Sequence, residues 1–126
     1  MAKYSKLNFN DIENSSKTDG VEALFSRSKI GSTDIGVSMF HYPPNFKAEK
    51  GHSHKVQEEV YVVMKGSGSI LIDDEVIDLK LWDVVRVEPT AVRAFSAGSA
   101  GLDIIACGGP KPDGGDGLMA DVIWPN

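Results

Sequence analysis

The sequence contains a single cysteine, Cys107, so no disulfide can form within the chain and nothing in it points to an oxidising compartment. It has no apolar run long enough to cross a bilayer as a helix. It also has no basic surplus: 13 Lys and Arg stand against 18 Asp and Glu, for a net charge of −5. That balance argues against a nucleic-acid backbone or an anionic membrane as partner. No convincing amphipathic helix of about ten residues or more appears, and there is no internal repeat or low-complexity tract. The opening Met1-Ala2-Lys3-Tyr4-Ser5-Lys6 leads into polar sequence without the pattern of a signal peptide. These absences together lead us to expect a soluble, cytoplasmic protein. Its 126 residues suffice for one domain with a real core.

What the chain does have is β-pattern. Glu59 to Lys65 places Val60, Tyr61, Val62 and Val63 in succession, a β-branched and aromatic run too short for a typical helix. Gly66-Ser67-Gly68 is expected to break it. Ser69 to Ile72 and Val76 to Leu79 flank Asp73-Asp74-Glu75 as a hairpin with a solvated acidic tip. Further strands are expected at Glu22 to Ser28, Asp34 to Tyr42, Val84 to Val87, Ala94 to Ser96 and Leu102 to Cys107. Pro43-Pro44-Asn45 and Pro89 supply stops. The pattern divides the chain into an N-terminal arm or edge strand (1–20), a barrel (21–108) and an extended tail that packs on it (109–126). Three prolines and four glycines make that tail read as a loop, pinned by Leu118, Ile123 and Trp124. Many short strands at such spacing imply an antiparallel sandwich or barrel. The strand at Glu59–Lys65 is apolar on both faces, so one face is expected to line a pocket and the other to meet a second subunit in a homodimer.

Chemistry concentrates at Gly51-His52-Ser53-His54-Lys55-Val56-Gln57-Glu58-Glu59. Two of the three histidines lie one residue apart, on one face of an extended segment, with a carboxylate soon after. A turn at Lys55-Val56-Gln57 would reset the parity and bring Glu59 beside them, on the same inward face as Tyr61 and Val63, leaving Glu58 outside. Two imidazoles and one carboxylate can share a divalent metal and leave positions open for substrate.

His52-x-His54, four residues, Glu59, six residues, Gly66 resembles the first motif of the cupins, small double-stranded β-helix or jelly-roll barrels with sites at the barrel mouth. The motif's upstream glycine departs: Asn45 takes the turn after Pro43-Pro44, one residue further from His52 than usual. The resemblance covers roughly residues 35 to 107 and implies an all-β barrel. It also implies His52, His54 and Glu59 as ligands to Fe, Mn, Ni or Zn. The second motif departs more. Trp82 stands for its first glycine, Thr90 for its turn glycine, and Arg93 falls on the histidine that would be the fourth ligand. Arginine cannot ligate a cation, so metal occupancy is left open.

Three readings of Arg93 follow. It anchors the carboxylate of a substrate on a metal held by the triad, it pairs with Glu59 and replaces the metal by its own charge, or it turns to solvent. A dication beside a guanidinium meets repulsion of roughly several kcal/mol at an effective dielectric of about 20, which favours an empty or weakly occupied metal site unless an anion bridges them. The functional expectation is a small-molecule-binding cupin for an anionic molecule held by Arg93, with metal-dependent catalysis on that molecule left open. The alternative is a metal-free sensor module with a Glu59–Arg93 pair. A weaker reading is a metal-free isomerase with His41 or His54 as base. His41 shares parity with Val37 and Met39 and enters as a further ligand-binding candidate, with Tyr61 as a phenol lining the cavity. Cys107 is expected to be inert packing, and Gly66-Ser67-Gly68, which precedes a strand and has no lysine partner, is no phosphate loop.

Overall fold

The computed structural model describes residues 3–125. Eight strands form one curled antiparallel sheet: Glu22–Phe25 (β1), Gly36–Tyr42 (β2), Lys50–His54 (β3), Glu59–Ile72 (β4), Glu75–Leu79 (β5), Val84–Val87 (β6), Arg93–Gly108 (β7) and Gly117–Asp121 (β8). The expected jelly-roll barrel is formed. Two long strands make the barrel possible. β7 pairs with β2 and with the first half of β4 at its C-terminal end, and with the second half of β4 and with β3 at its N-terminal end.

Period-two alternation selects the core. Tyr61 and Val63 of β4 face inward with Ala106 and Ile104 of β7, and Ile70, Phe95, Leu102, Leu79 and Val87 complete the cluster. Their neighbours Val60, Val62, Ile105 and Cys107 face out.

The glycines expected to end a strand bend it instead. β4 runs through Gly66-Ser67-Gly68, with shifts in its register against β7 between Val63 and Lys65 and between Gly66 and Gly68. Gly66 has φ +76°, and a Cβ there would lie 2.0 Å from the carbonyl oxygen of Gly101. Only glycine fits, and the bulges curl the sheet without cutting it. For the same reason Ala94–Ser96 and Leu102–Cys107 are parts of the single strand β7.

Other boundaries differ as well. The strand expected to reach Ser28 stops at Phe25, because Arg27–Ile30 turns into one helical turn (α1) ended by Gly31 in the left-handed region. Arg27 holds that turn by donating to the carbonyls of Gly108 and Gly109. The tail is not a loop: Gly117–Asp121 pairs with β3 from Lys50↔Asp121 to His54↔Gly117. Leu118 and Ile123 are exposed. The tail is pinned instead by that ladder and by Trp124, whose indole donates to the Ala48 carbonyl at 2.8 Å. Trp82, which stands where the resemblance places glycine, is exposed with φ +73°, and Asn45, one residue further from His52 than the motif's upstream glycine, has φ +63°, so both occupy left-handed positions. Within 3–20, Asn14 and Ser15 bond to the backbone of Val21 and Ala23, so this segment lies against its own barrel.

Replacing Gly66 by alanine is expected to lower stability by at least about 2 kcal/mol, read as a lower urea midpoint with an unchanged slope.

Candidate metal centre

β3 delivers His52 and His54 from one face, and β4 begins at Glu59. Between them the chain turns at Lys55–Gln57, and a residue of the tail holds the turn. Asp116 accepts the backbone N–H of Val56 (2.7 Å) and of Gln57 (2.9 Å) on one oxygen and pairs with Nδ1 of His54 (2.9 Å) through the other. Asp116 is buried. Burial alone would push its pKa up, but the two backbone N–H groups and His54 outweigh burial and hold it well below the usual carboxylate range. A proton on His54 Nδ1 directed at Asp116 leaves Nε2 facing Glu59, and a carboxylate behind a histidine is how metal-ligating imidazoles are commonly oriented.

Three side chains meet at one oxygen. Glu59 Oε1 lies 3.0 Å from His52 Nε2, 3.1 Å from His54 Nε2 and 2.5 Å from the Tyr61 hydroxyl, which donates to it. Atoms about 2.1 Å from a common ion and at right angles lie about 3.0 Å apart, against about 3.4 Å in a tetrahedral site. The two His–Glu separations lie in the hydrogen-bond range and are also short enough for these atoms to share one ion. The three ligand atoms all lie within 4.8 Å of one another, and this is the one such group among the described residues. The donor set fits a divalent cation.

Burial pushes the Glu59 carboxyl up, but hydrogen bonds from His52 and Tyr61 and the charge of both histidines outweigh it and bring the pKa to about 2. Burial, with the charge of Glu59, raises Tyr61 well above its ordinary value, so its phenol stays a donor.

Arg93 faces inward and is fully buried. Nη1 donates to the carbonyls of His52 (3.3 Å) and Pro89 (3.4 Å), and Nη2 donates to that of Glu88 (3.1 Å). Nε has no partner. This corrects two expectations. Arg93 does not turn to solvent, and it does not pair with Glu59, because its fork is spent on carbonyls that tie β3 to the β6–β7 turn. The metal-free alternative built on a Glu59–Arg93 pair loses its basis. No carboxylate lies within 4 Å of the guanidinium among the described residues, since the ion pairs run elsewhere.

The structure thus brings His52, His54, Glu59, Tyr61 and Arg93 to one cavity wall or its immediate backing. It does not bring His41. Phe40 and Tyr42, on either side of it, point into the barrel, so the face shared by Val37, Met39 and His41 is the outer one. There His41 Nδ1 pairs with Asp103 at 2.5 Å. Glu58 also faces out, in an ion pair with Arg86. Sequence reasoning missed Asp116. An acidic residue set among glycines in an irregular tail carries no spacing signal, and its role appears only once β8 lies along β3.

No protein-family model matches the sequence. An uncharacterized protein of Methanocaldococcus jannaschii is 30% identical over 60 residues, which are 47% of this chain and 48% of that protein, so the match spans about half of the relative. A cupin protein from Bacteroides fragilis superimposes with a TM-score of 0.70 at 29% identity, over 87% of this chain and 86% of that one. Oxalate decarboxylase from Bacillus subtilis gives a TM-score of 0.75 at 17% identity, over 97% of this chain and 33% of that one. Salicylate 1,2-dioxygenase from Pseudoaminobacter salicylatoxidans, in complex with gentisate, gives 0.65 at 14% identity, over 75% of this chain and 26% of that one. The fold is the double-stranded β-helix of the cupins.

In the protein without added metal, the depressed Glu59 pKa carries stability that is fully present above pH 4.5 and is lost as pH falls toward about 2. Thermal melts across that window are expected to show the loss, and Glu59→Gln to flatten it.

Proposed function

We propose that this chain holds a divalent metal on His52, His54 and Glu59 and presents it to a small anionic molecule as a metal-dependent enzyme. One observation carries the reading: the convergence of both imidazole Nε2 atoms within 3.1 Å of Glu59 Oε1, in a group of three ligand atoms that could hold one ion. When bound, the metal would act as a Lewis acid or as a centre for oxygen activation, with positions left open by the three protein ligands. The surrounding residues have their own tasks. Asp116 sets the orientation of His54, and Tyr61 steadies the Glu59 carboxylate through its hydroxyl. Arg93 adds a buried positive charge behind the cavity, which favours an anion without needing to touch it. The dioxygenase and decarboxylase among the structural neighbours support an enzyme of this kind.

We propose also that two copies pair through the outer sheet face. Strand register lines up Met39, Ile105, Val62 and Val84 across four strands, with Val37, Cys107 and Val60 in the adjacent row. Val84 and Met64 are exposed there and the other members of the rows partly so, and an apolar face of this kind favours a self-complementary contact.

Elemental analysis of protein purified without a histidine tag is expected to find one transition metal per chain, lost in His52→Ala and bound about 10- to 100-fold more weakly in Asp116→Ala. A stable barrel with no metal under any loading condition would sink the reading. Sedimentation is expected to give twice the 13.6 kDa chain mass, and Val62→Lys to give a monomer with its metal retained.

A further inference from the structure

Two surface features lie away from the metal site and find no use within one chain. The first is Trp82, in the turn before β6. It is 64% exposed, and its φ of +73° puts a bulky aromatic in the left-handed region, which side chains of this size rarely enter. The turn is fixed from behind. The Trp82 N–H donates to the Val63 carbonyl at 3.0 Å, and the Asp83 carboxylate accepts the Lys80 N–H at 2.9 Å. The backbone is thus held so that it presents an indole to solvent, and conformations of this kind gather where a surface is used. The Trp124 indole donates to Ala48, whereas that of Trp82 has no hydrogen-bond partner among the described residues.

The second feature is a pocket of about 400 Å³ between the N-terminal segment, α1 and the start of β2. Leu7, Phe9, Ile12, Ile30, Ile35 and Val37 supply its apolar lining, and no charged side chain borders it. Its polar groups are three serine hydroxyls, each already donating to a backbone carbonyl: Ser5 to Ile30 at 2.6 Å, Ser26 to Val37 at 2.5 Å, and Ser32 to Ile35. With their protons spent, they offer the pocket lone pairs alone. Such a lining suits an apolar group that donates a hydrogen bond and accepts none. Among side chains that group is indole.

The two features stand at opposite corners of the outer sheet face, across which the strands run β2, β7, β4, β6. The pocket borders that face at Val37, whose row continues through Cys107 to Val60. Trp82 is bonded to Val63, three residues further along β4, and lies beside the edge strand β6. A two-fold axis lying in the interface and crossing the middle of the apolar rows exchanges opposite corners. Knob and pocket then meet twice, with the strands of the two sheets crossing steeply, near the orthogonal class of about 90°.

We propose that Trp82 of each copy inserts into the Leu7–Val37 pocket of the other, its indole N–H on a serine hydroxyl oxygen. This rests on the pairing of two copies through the outer face and supplies its anchor. A stable interface buries about 800 Å² per partner, and one aromatic side chain of this size contributes about 150–250 Å² of it.

The test combines sedimentation with fluorine NMR of the full chain labelled with fluorotryptophan, the Trp82 signal being assigned by its absence in Trp82→Phe. That signal is expected to show a solvent-isotope shift in the Val62→Lys monomer and none in the dimer. Trp82→Gly, which relieves the left-handed backbone, is expected to raise the dimer dissociation constant at least about 30-fold without lowering the urea midpoint of the monomer. Ile35→Trp, which fills the pocket from its own chain, is expected to give a folded monomer. Unchanged dimer affinity in Trp82→Gly, with or without uptake of added 3-methylindole by the pocket, overturns this proposal alone, as does a Trp82 signal equally solvent-shifted in dimer and monomer. A chain that sediments at 13.6 kDa at every concentration overturns the pairing and this proposal with it.

Discussion

The Oε1 atom of Glu59 accepts a hydrogen bond from Tyr61 and stands within 3.1 Å of the Nε2 atoms of His52 and His54, so groups from β3 and β4 meet at a single oxygen. A half-buried carboxylate is costly unless its charge is answered. Here the answering groups are also what a metal requires, and their spacing decides the chemistry. The rest of the barrel serves that meeting. The Lys55–Gln57 turn changes the parity between β3 and β4, Asp116 holds the turn, and β8 holds Asp116 in place. Gly51 lets β3 approach β7 so closely that a Cβ there would lie 2.5 Å from the Arg93 carbonyl oxygen.

Arg93 shows how the same position can be used without ligation. A histidine there would add a fourth donor. The guanidinium instead braces three backbone carbonyls and leaves a charge inside the barrel that no carboxylate among the described residues meets within 4 Å. The energetic cost of that burial is repaid in part by the three hydrogen bonds. What remains is a field that favours an anion at the cavity.

Much of this was legible before any coordinates. The His-x-His spacing, the parity reset, the inward Glu59 and Tyr61, and the outward Glu58 follow from period-two alternation, which acts over a few residues. Strand ends were less legible. Gly66 and Gly68 read as a break, yet a strand paired along both its edges carries them as bulges, because the cross-strand hydrogen bonds on either side persist. The face of His41 was not legible: alternation says that Val37, Met39 and His41 share a side, not which side is inside.

The sequence by itself determined the β-class, the cupin-like arrangement of strands and the three ligand candidates, all encoded by local periodicity and short spacing. Only the tertiary structure decided the partners of Arg93 and the closure of the tail on β3 that sets Asp116 behind His54. The Arg93–His52, His54–Asp116 and Trp124–Ala48 contacts join residues 41 to 76 positions apart, and hydrophobic burial sets such contacts for the chain as a whole rather than for any one stretch of it.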